Sequence, residues 1–135
     1  MLSLTKAWSG VTTKAAPLPD VWKTLSEKHI KFRRGQLCMV AAAPNAGKSM
    51  FALVYAMQAK VPTLFFSADT DVTTVMIRAA AHISGHTQVT VETNLNSNPK
   101  YYESYFDKSS HIQWVFDSSP SLDDIELEVK AYQEL

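Results

Sequence analysis

The sequence predicts an α/β fold in which a parallel sheet is flanked by helices. Three observations lead to this expectation. Apolar runs of strand length recur at residues 37–43, 63–69 and 111–117. Segments with helical periodicity follow each of these runs, and no internal repeat interrupts the order. Such an alternation of strands and helices is typical of parallel sheets whose faces are covered by the connecting helices.

The stretch from Arg34 to Lys60 carries the strongest single motif. A predicted buried strand, LCMVAAA, leads into a tight loop, PNAG, and then into an apolar helix that opens at Lys48. Residues 42–49 spell AAPNAGKS, which matches the pattern [AG]xxxxGK[ST] of Walker A phosphate-binding loops (P-loops). Unpaired N–H groups and the positive end of the helix dipole attract anions at such a helix start. The motif therefore predicts a site for the phosphates of a nucleotide.

Each residue type in this loop suits one task in holding ATP with Mg²⁺. Gly47 lets the backbone approach the phosphates, Lys48 reaches the β- and γ-phosphates, and the Ser49 hydroxyl can bind Mg²⁺. The rest of the predicted cofactor site supplies backbone around the phosphates: Ala42, Pro44, Asn45, Ala46 and Met50. The alternative is an ordinary strand–turn–helix corner with a lysine near the helix start.

Length and composition indicate at most one globular domain, with 135 residues of which 46% are hydrophobic. The single cysteine, Cys38, is expected to be a small core residue in a reducing compartment. No apolar run approaches the roughly 20 residues of a membrane span, and the N-terminus lacks the apolar segment of a signal peptide. We therefore expect a soluble, cytoplasmic protein with no membrane partner.

The net charge is zero, but the charge is unevenly distributed. Residues 1–60 hold nine Lys and Arg against two Asp and Glu, whereas residues 61–135 hold four against eleven. This asymmetry fits a chain with one side toward a polyanion and another toward a partner, and it also fits ordinary solvated surface. A basic cluster before the first predicted strand has two similar interpretations: it could contact the phosphates of a nucleic acid, or it could be ordinary solvated surface. Its residues are Lys28, His29, Lys31, Arg33 and Arg34.

The first half of the chain begins with an arm. Residues 1–20 show no sustained period and contain two prolines, so we expect a flexible arm there and a folded region over residues 21–135. Residues 21–32 are amphipathic. The helix over residues 48–59 is apolar nearly all round and should be buried on more than one side. Thr70 or Asp71 should cap a helix that Gly85 ends.

The second half of the chain alternates polar and aromatic segments. Residues 86–98 are polar and rich in turn-forming types, which predicts a mobile surface loop. Asn98 and Pro99 should then begin a helix with an aromatic face, which could stack on bases but is more often core: Tyr101, Tyr102, Tyr105 and Phe106. In the last helix, Ser121 and Asp124 predict a capping box ahead of an apolar stripe: Leu122, Ile125, Val129 and Tyr132.

Two carboxylates follow predicted strands, Asp69 and Asp117. Ligands of open α/β sheets gather at the carboxyl ends of the strands, so both residues lie where chemistry is expected. Hydrolysis of a triphosphate needs a group that orients the attacking water and usually an acidic residue that holds Mg²⁺. Both residues are candidates for these tasks, and a helix cap is the alternative for each.

Three segments together resemble the RecA-like motor domain of DnaB-like replicative helicases of the kind encoded by bacteriophages. They are FRRGQLCMVAAAPNAGKSMFAL, LFFSADTDVTTVMIRAAAHISG and IQWVFDSSPSLDDIELEVK. Asp69 stands where that family has its catalytic glutamate, so the resemblance implies a catalytic role for Asp69 beside Lys48. It also implies that Asp117 is not the Walker B aspartate, because in the family Walker B comes after this segment.

The resemblance further implies that the chain carries only the N-terminal part of the motor core. The family's Walker B strand, arginine finger and DNA-binding loops come later, so the sheet would lack its middle strands. The implied protein is an ATP-binding subunit, in the host cytoplasm if phage-encoded, within an oligomeric ring on single-stranded DNA. It would be an ATPase and helicase only with a second chain that completes the core. Two alternatives remain: a RecA- or RadA-type recombinase or loader, and a non-catalytic ATP-binding regulatory subunit.

Overall fold

The described part of the chain falls into two units. The computed structural model describes residues 16–68 and 70–134, and the contacts between residues divide the chain after Ala41. Most of the arm predicted over residues 1–20 lies outside the described residues. The boundary proposed between that arm and a folded region over residues 21–135 therefore stays a prediction.

The described part of the first unit, residues 16–41, contains one short helix. Helix α1 spans Lys23–Glu27, and the amphipathic run ends when His29 adopts a positive φ of 59°. An antiparallel bridge joins Pro17 and Arg33. It is supported by a backbone hydrogen bond of 2.8 Å from the N–H of Leu18 to the carbonyl of Phe32. This bridge joins the segment before α1 to the segment after it.

The prediction of a buried strand over residues 37–43 is wrong for this chain. The segment forms no ladder with another described residue, and Leu37 and Met39 are 102% and 90% exposed. Cys38, which we expected in the core, is exposed as well. A strand needs neighbours for its N–H and C=O groups, and the apolar composition of the run does not reveal whether those neighbours are present.

The second unit begins at Ala42 and contains the sheet. Its elements follow in this order: α2 (Lys48–Ala59), β1 (Thr63–Phe66), α3 (Val72–Ser84), α4 (Gln88–Ser97), α5 (Glu103–Phe106), a 3-10 turn (Asp107–Ser109), β2 (Ile112–Val115) and α6 (Leu122–Gln133). The two strands pair in parallel, with Thr63 opposite Ile112 and Phe66 opposite Val115. The α/β class and the parallel pairing are thus confirmed, in a sheet of two strands.

The core of this unit lies between the sheet, α2 and α3. Leu53 and Met57 of α2 meet Ala79 of α3, and all three are at most 3% exposed. Phe65 and Trp114, paired across the two strands, add aromatic rings whose centroids lie 5.1 Å apart. These contacts hold the sheet against α2 and α3.

Helix α3 begins and ends as its sequence predicts. Asp71 is the cap: its carboxylate accepts a hydrogen bond of 3.0 Å from the N–H of Thr74 and one of 2.6 Å from the Thr74 hydroxyl. Gly85 ends the helix with a φ of 74°. The hydrogen bonds from the Thr74 side chain and backbone lower the pKa of Asp71, because they favour the ionised carboxylate.

Replacing Asp71 with alanine should lower the melting temperature at neutral pH. The pKa of this carboxyl is lower in the folded chain than in the unfolded chain, so its stabilising effect is present above the unfolded value of about 3.9. The effect is lost as the pH falls through the folded pKa. Thermal melts of wild type and Asp71→Ala should therefore differ at pH 7 and converge in acid, below the folded pKa of Asp71. Asp71→Asn, which keeps an acceptor oxygen, is the matched control with no charge to titrate.

The prediction of a mobile loop over residues 86–98 is wrong, because most of this segment is helix α4. The Thr87 hydroxyl caps it by accepting a hydrogen bond from the N–H of Thr90 at 3.2 Å. Val91 is completely buried and Leu95, four residues on, packs against the same cluster. Two apolar residues at this spacing suffice to anchor the helix, although polar residues surround them. The following helix also begins later than expected, at Glu103.

Tyr102 is the centre of a second core cluster. It is 1% exposed, and its hydroxyl lies 2.9 Å from Nδ1 of His86 and 3.0 Å from the side-chain nitrogen of Asn94. The rings of Tyr101 and Tyr105 pack against it at centroid distances of 4.9 and 5.6 Å. The interpretation of the aromatic face as core is therefore confirmed for Tyr102.

Tyr102→Phe should destabilise the fold by about 1–3 kcal/mol, since it leaves two partly buried polar groups without their partner. Tyr101, which is 44% exposed, provides the matched control. Urea unfolding curves should show a lower midpoint for Tyr102→Phe than for wild type. The midpoint for Tyr101→Phe should be nearly that of wild type. Equal midpoints for the two variants would contradict the importance of the hydrogen bonds of Tyr102.

Helix α6 starts as predicted, but its apolar stripe is not buried. Ser121 and Asp124 form the capping box, and hydrogen bonds from the Ser121 hydroxyl and N–H lower the pKa of Asp124. Of the predicted stripe, Leu122 and Val129 are 83% and 38% exposed, whereas Ile125 and Tyr132 are half-buried. Leu127, outside that stripe, is 68% exposed. Among the residues the structure describes, no helix is long and apolar enough to cross a membrane.

Candidate phosphate-binding site

The loop before α2 has the backbone shape that its motif requires. Asn45 and Gly47 adopt positive φ angles of 61° and 89°, and Gly47 is the N-cap of α2. A Cβ built on Gly47 meets no atom within 4 Å. The glycine is therefore required by its left-handed backbone conformation, which costs other residues about 1–2 kcal/mol, and not by lack of space. The turn is closed by a hydrogen bond of 3.2 Å from the N–H of Ala46 to the carbonyl of Ala43.

Lys48 closes the same loop with its side chain. Its Nζ donates hydrogen bonds of 3.0 and 3.2 Å to the carbonyls of Ala42 and Ala43. These hydrogen bonds hold the ammonium against the carbonyls of the loop that precedes α2. The loop therefore carries a positive charge, and the positive end of the helix dipole lies at the start of the same helix.

A cavity of about 280 Å³ opens on this loop, and residues of two further helices also line it. Arg78 of α3 and Gln88 of α4 line it together with part of the loop and the first turn of α2: Asn45, Gly47, Lys48, Ser49 and Met50. Two cationic side chains thus face one cavity. Arg78 is partly buried and has no hydrogen bond or ion pair with another residue in the two described ranges. Its guanidinium is therefore available to an anion.

Arg78 and Gln88 were not among the residues predicted from the sequence. Arg78 is the only charged residue of α3, a helix otherwise made of apolar, small and uncharged polar residues. A lone arginine in such a helix is a usable signal, because a partly buried guanidinium needs an anionic partner. Gln88 stands in the first turn of α4, a helix that we had not predicted, so no signal in the sequence pointed to it.

Five of the residues predicted for the phosphate loop line the cavity: Asn45, Gly47, Lys48, Ser49 and Met50. Ala42, Pro44 and Ala46 belong to the loop but do not line the cavity. Ser49 lines the cavity, and its hydroxyl makes no hydrogen bond to any residue of the described ranges. It can therefore serve as an oxygen ligand. Three or more His, Cys, Asp or Glu side chains do not cluster as a metal site anywhere in the described residues.

Asp69 lies outside the described residues, so its predicted catalytic role is not tested. The residues around it are ordered: the Ser67 hydroxyl donates a hydrogen bond of 2.8 Å to the carbonyl of Thr70. The cap of α3 is Asp71. The role of helix cap, which the sequence gave as the alternative for Asp69, therefore belongs to Asp71.

Asp117 does not line the cavity beside the phosphate loop, which we call the phosphate cavity. Its carboxylate accepts a hydrogen bond of 3.0 Å from the N–H of Ser119, and it borders a separate cavity of about 150 Å³ beside Phe66, Leu127 and Glu128. A carboxylate that accepts from the N–H two residues later stabilises a turn. The helix-cap alternative for Asp117 is wrong, because Asp117 closes this turn and Ser121 caps the helix that follows.

The chain resembles proteins of two mycobacterial phages. It is 40% identical over 126 residues to the Gene 65 protein of Mycobacterium phage L5, which covers 88% of this chain and 45% of that protein. It is 38% identical over 101 residues to the Gene 65 protein of Mycobacterium phage D29, which covers 73% of this chain and 43% of that protein. The chain thus spans less than half the length of these curated relatives. No solved structure matches it.

A family model also matches almost the entire chain. The model describes the DnaB-like helicase C-terminal domain, and the match runs from residue 18 to residue 134. It includes the phosphate loop, the segment around Asp69 and the segment that ends in the capping box of α6. The match confirms the resemblance seen in the three sequence segments, and the chain therefore belongs to the family of DnaB-like helicase C-terminal domains.

Proposed function

We propose that this chain binds the phosphates of ATP through the loop at residues 42–50 and acts in an ATP-driven DNA helicase. One observation carries the proposal: the start of α2, Lys48 and Arg78 line the same cavity. Backbone N–H groups, an ammonium and a guanidinium together form a donor set suited to a polyphosphate. At about 280 Å³, the cavity is slightly smaller than a typical small-molecule site of about 300–1,000 Å³. It suits the triphosphate, with the nucleoside lying further out.

Mg²⁺ would be held by the Ser49 hydroxyl together with phosphate oxygens and water. Mg²⁺ requires oxygen ligands and keeps several of its waters, so a single hydroxyl from the chain is an adequate contribution. When bound, the ion neutralises charge on the phosphates. Lys48 and Arg78 would hold and orient the same phosphates, and Asp69 would orient the attacking water.

The family supports a helicase role over that of a recombinase or loader. In the role we propose, ATP hydrolysis drives translocation on single-stranded DNA within an oligomeric ring in the host cytoplasm, and a second chain supplies the Walker B strand and the arginine finger. The first unit would contribute positive charge toward DNA through its exposed basic residues: Lys28, His29, Lys31 and Arg34.

A second candidate is an ATP-binding subunit that does not hydrolyse ATP. One observation favours it: within the two described ranges, the lining of the phosphate cavity contains no carboxylate. Hydrolysis would then depend on Asp69 and on groups from another polypeptide. Single-turnover ATPase measurements with single-stranded DNA, with and without a complementing chain, distinguish the two candidates. Binding without turnover in both conditions supports the regulatory role.

Competition binding tests the site itself. A fluorescent ATP analogue bound in the presence of Mg²⁺ should be displaced by ATP at concentrations roughly tenfold or more below those needed for AMP, since the main contacts are to the phosphates. Tripolyphosphate should also compete. If AMP competes as well as ATP and tripolyphosphate does not compete, the phosphate site is refuted.

A further inference from the structure

We propose that a cavity beside the C-terminal end of α2 binds a small molecule that carries a phosphate monoester. The cavity has a volume of about 430 Å³, and its lining comes from the end of α2, the last turn of α3 and the 3-10 turn before β2. We call it the lysine cavity, because Lys60 and Lys108 both line it. Each of its lining residues belongs to the second unit.

The lysine cavity is separate from the phosphate cavity. The two cavities share no lining residue. They lie at opposite ends of α2, which has 12 residues and is therefore about 18 Å long. A small phosphate monoester in the lysine cavity does not reach Lys48. Binding there can therefore fail while nucleotide binding at the loop stands.

A hydrogen bond fixes Lys60 at this cavity. Lys60 is the C-cap of α2, and its Nζ donates to the carbonyl of Lys108 at 2.6 Å. An ammonium has three N–H donors, so this contact leaves donors for a ligand. The side chain of Lys108 makes no hydrogen bond or ion pair with another residue of the ranges 16–68 and 70–134. Two ammonium groups are therefore available at one cavity.

Ser109 gives an independent indication of a ligand. It lines the lysine cavity and is only 6% exposed, yet its hydroxyl makes no hydrogen bond with the residues that the structure describes. Every fully inaccessible side-chain oxygen or nitrogen in that part of the chain has a hydrogen-bond partner. The Ser109 hydroxyl is therefore open to the cavity. A largely buried hydroxyl without a partner costs free energy, and a ligand oxygen at this position removes that cost.

The charges around the cavity favour a doubly charged anion. No carboxylate of the described residues lines it. The C-terminal ends of α2 and α3 each contribute roughly half a negative charge, so together they offset about one of the two lysine charges. The net charge that a ligand meets stays positive, and its attraction grows with the charge of the anion. A phosphate monoester carries about −1.5 to −2 at pH 7 and is therefore favoured over a singly charged carboxylate.

The apolar part of the lining indicates that the ligand has an apolar body. Met57 and Ile83 line the cavity and belong to the main core, where Met57 is buried. Beside them, the side chains of Gln58 and His82 meet at 3.1 Å between their Nε2 atoms and add polar groups. The volume of about 430 Å³ lies within the range of about 300–1,000 Å³ for small-molecule sites. The occupant is therefore a nucleotide or another small phosphorylated compound with an apolar or aromatic body.

NMR of the complete 135-residue chain tests this site through methyl signals. Phenyl phosphate is the probe, and benzoate, a carboxylate with the same ring, is the control. Phenyl phosphate should cause saturable shifts of the methyl signals of Met57 and Ile83, with an affinity about tenfold or more above that of benzoate. Absence of saturable shifts at both methyl groups, or equal affinity for the two compounds, would overturn the proposal.

The amide of Gly47 reports on the phosphate loop in the same titration. Shifts at Gly47 without shifts at Met57 and Ile83 mean that phenyl phosphate binds at the loop alone, which contradicts a second site and leaves the proposed function intact. Deoxyadenosine monophosphate, as a second probe, identifies the source of the monoester. Tighter binding than phenyl phosphate at the lysine cavity supports a nucleotide, and weaker binding supports another phosphorylated compound.

A pair of lysine variants tests the charge. Lys108→Met removes one ammonium but keeps the backbone carbonyl that accepts from Lys60. It should weaken binding of phenyl phosphate by about tenfold or more. Lys100→Met removes an exposed lysine that does not line the cavity, and it should bind phenyl phosphate as wild type does. Both variants should retain wild-type affinity for the ATP analogue. Equal affinities of the two variants for phenyl phosphate contradict the site.

Ser109→Ala separates ligand binding from stability. Because the Ser109 hydroxyl has no partner among the described residues, its removal should leave the melting temperature unchanged or raise it. The affinity for phenyl phosphate should nevertheless fall by about two- to tenfold, the loss of one hydrogen bond. A lower melting temperature with unchanged affinity would show a structural hydroxyl and would remove Ser109 from the site.

Discussion

Lys48→Ala is expected to lower the affinity for Mg²⁺-ATP by roughly 10- to 150-fold. A hydrogen bond to a charged group contributes about 1.5–3 kcal/mol, which corresponds to a change of this size in the dissociation constant. The loss should be largest for ATP and smallest for AMP, because the ammonium lies at the phosphate end of the site. Titration of a fluorescent ATP analogue, followed by competition with each nucleotide, measures both quantities.

Two comparisons separate the charge of Lys48 from its structural contacts. The Nζ also holds the loop by donating to the carbonyls of Ala42 and Ala43, so alanine removes a loop contact as well as a charge. Lys48→Gln keeps a neutral donor that can reach toward the loop, and it should lose nearly as much affinity as alanine if the charge dominates. Lys130→Ala removes an exposed lysine paired with Glu126 at 2.6 Å and is the matched control. Wild-type affinity in Lys48→Ala would refute the site.

The sequence could predict those features of the site and of the helix ends that depend on residues close together in the chain. Gly47 and Lys48 form the end of a loop and the start of a helix, and the motif specifies both because the spacing itself produces the geometry. The capping residues Asp71, Ser121 and Asp124 were found for the same reason. Hydrogen bonds within three residues are fixed by local backbone shape and need no knowledge of the tertiary fold.

The parts that could not be predicted depend on distant residues. The run at residues 37–43 has the composition of a buried strand, yet burial requires neighbouring strands, and none of the described residues supplies one. Helix α4 was missed because its polar residues mask the two apolar positions, Val91 and Leu95, that anchor it. In each case, contacts with residues far away in the sequence decide whether the segment forms a strand or a helix, and the local sequence pattern does not reveal those contacts.

Arg78 is the clearest example of a candidate-site residue whose place beside the phosphate loop depends on packing. Its position on α3 is thirty residues after Lys48 in the sequence. Packing of α3 against α2 through Val75, Ala79 and Leu53 brings the arginine to the phosphate cavity. A planar guanidinium can donate two parallel hydrogen bonds to phosphate oxygens, which a lysine ammonium does not reproduce.

Arg78→Met is therefore expected to weaken ATP binding by about tenfold or more, because it removes the charge while keeping a long side chain in a partly buried position. Arg78→Lys should recover only part of this loss, since it restores the charge without the planar pair of donors. The melting temperatures of all three proteins should remain close to each other, because the guanidinium makes no hydrogen bond or ion pair within residues 16–68 and 70–134.

A double-mutant cycle then decides whether Arg78 and Lys48 act on the same ligand. If both hold one triphosphate, the effect of Arg78→Met on ATP affinity should be clearly smaller in a Lys48→Ala background than in the wild type, because the first substitution has already released the phosphates. Additive losses would place the two side chains on separate ligands. An Arg78→Met variant with wild-type affinity for ATP would remove α3 from the site, and the phosphate loop would then have to bind the nucleotide without a second cation from this chain.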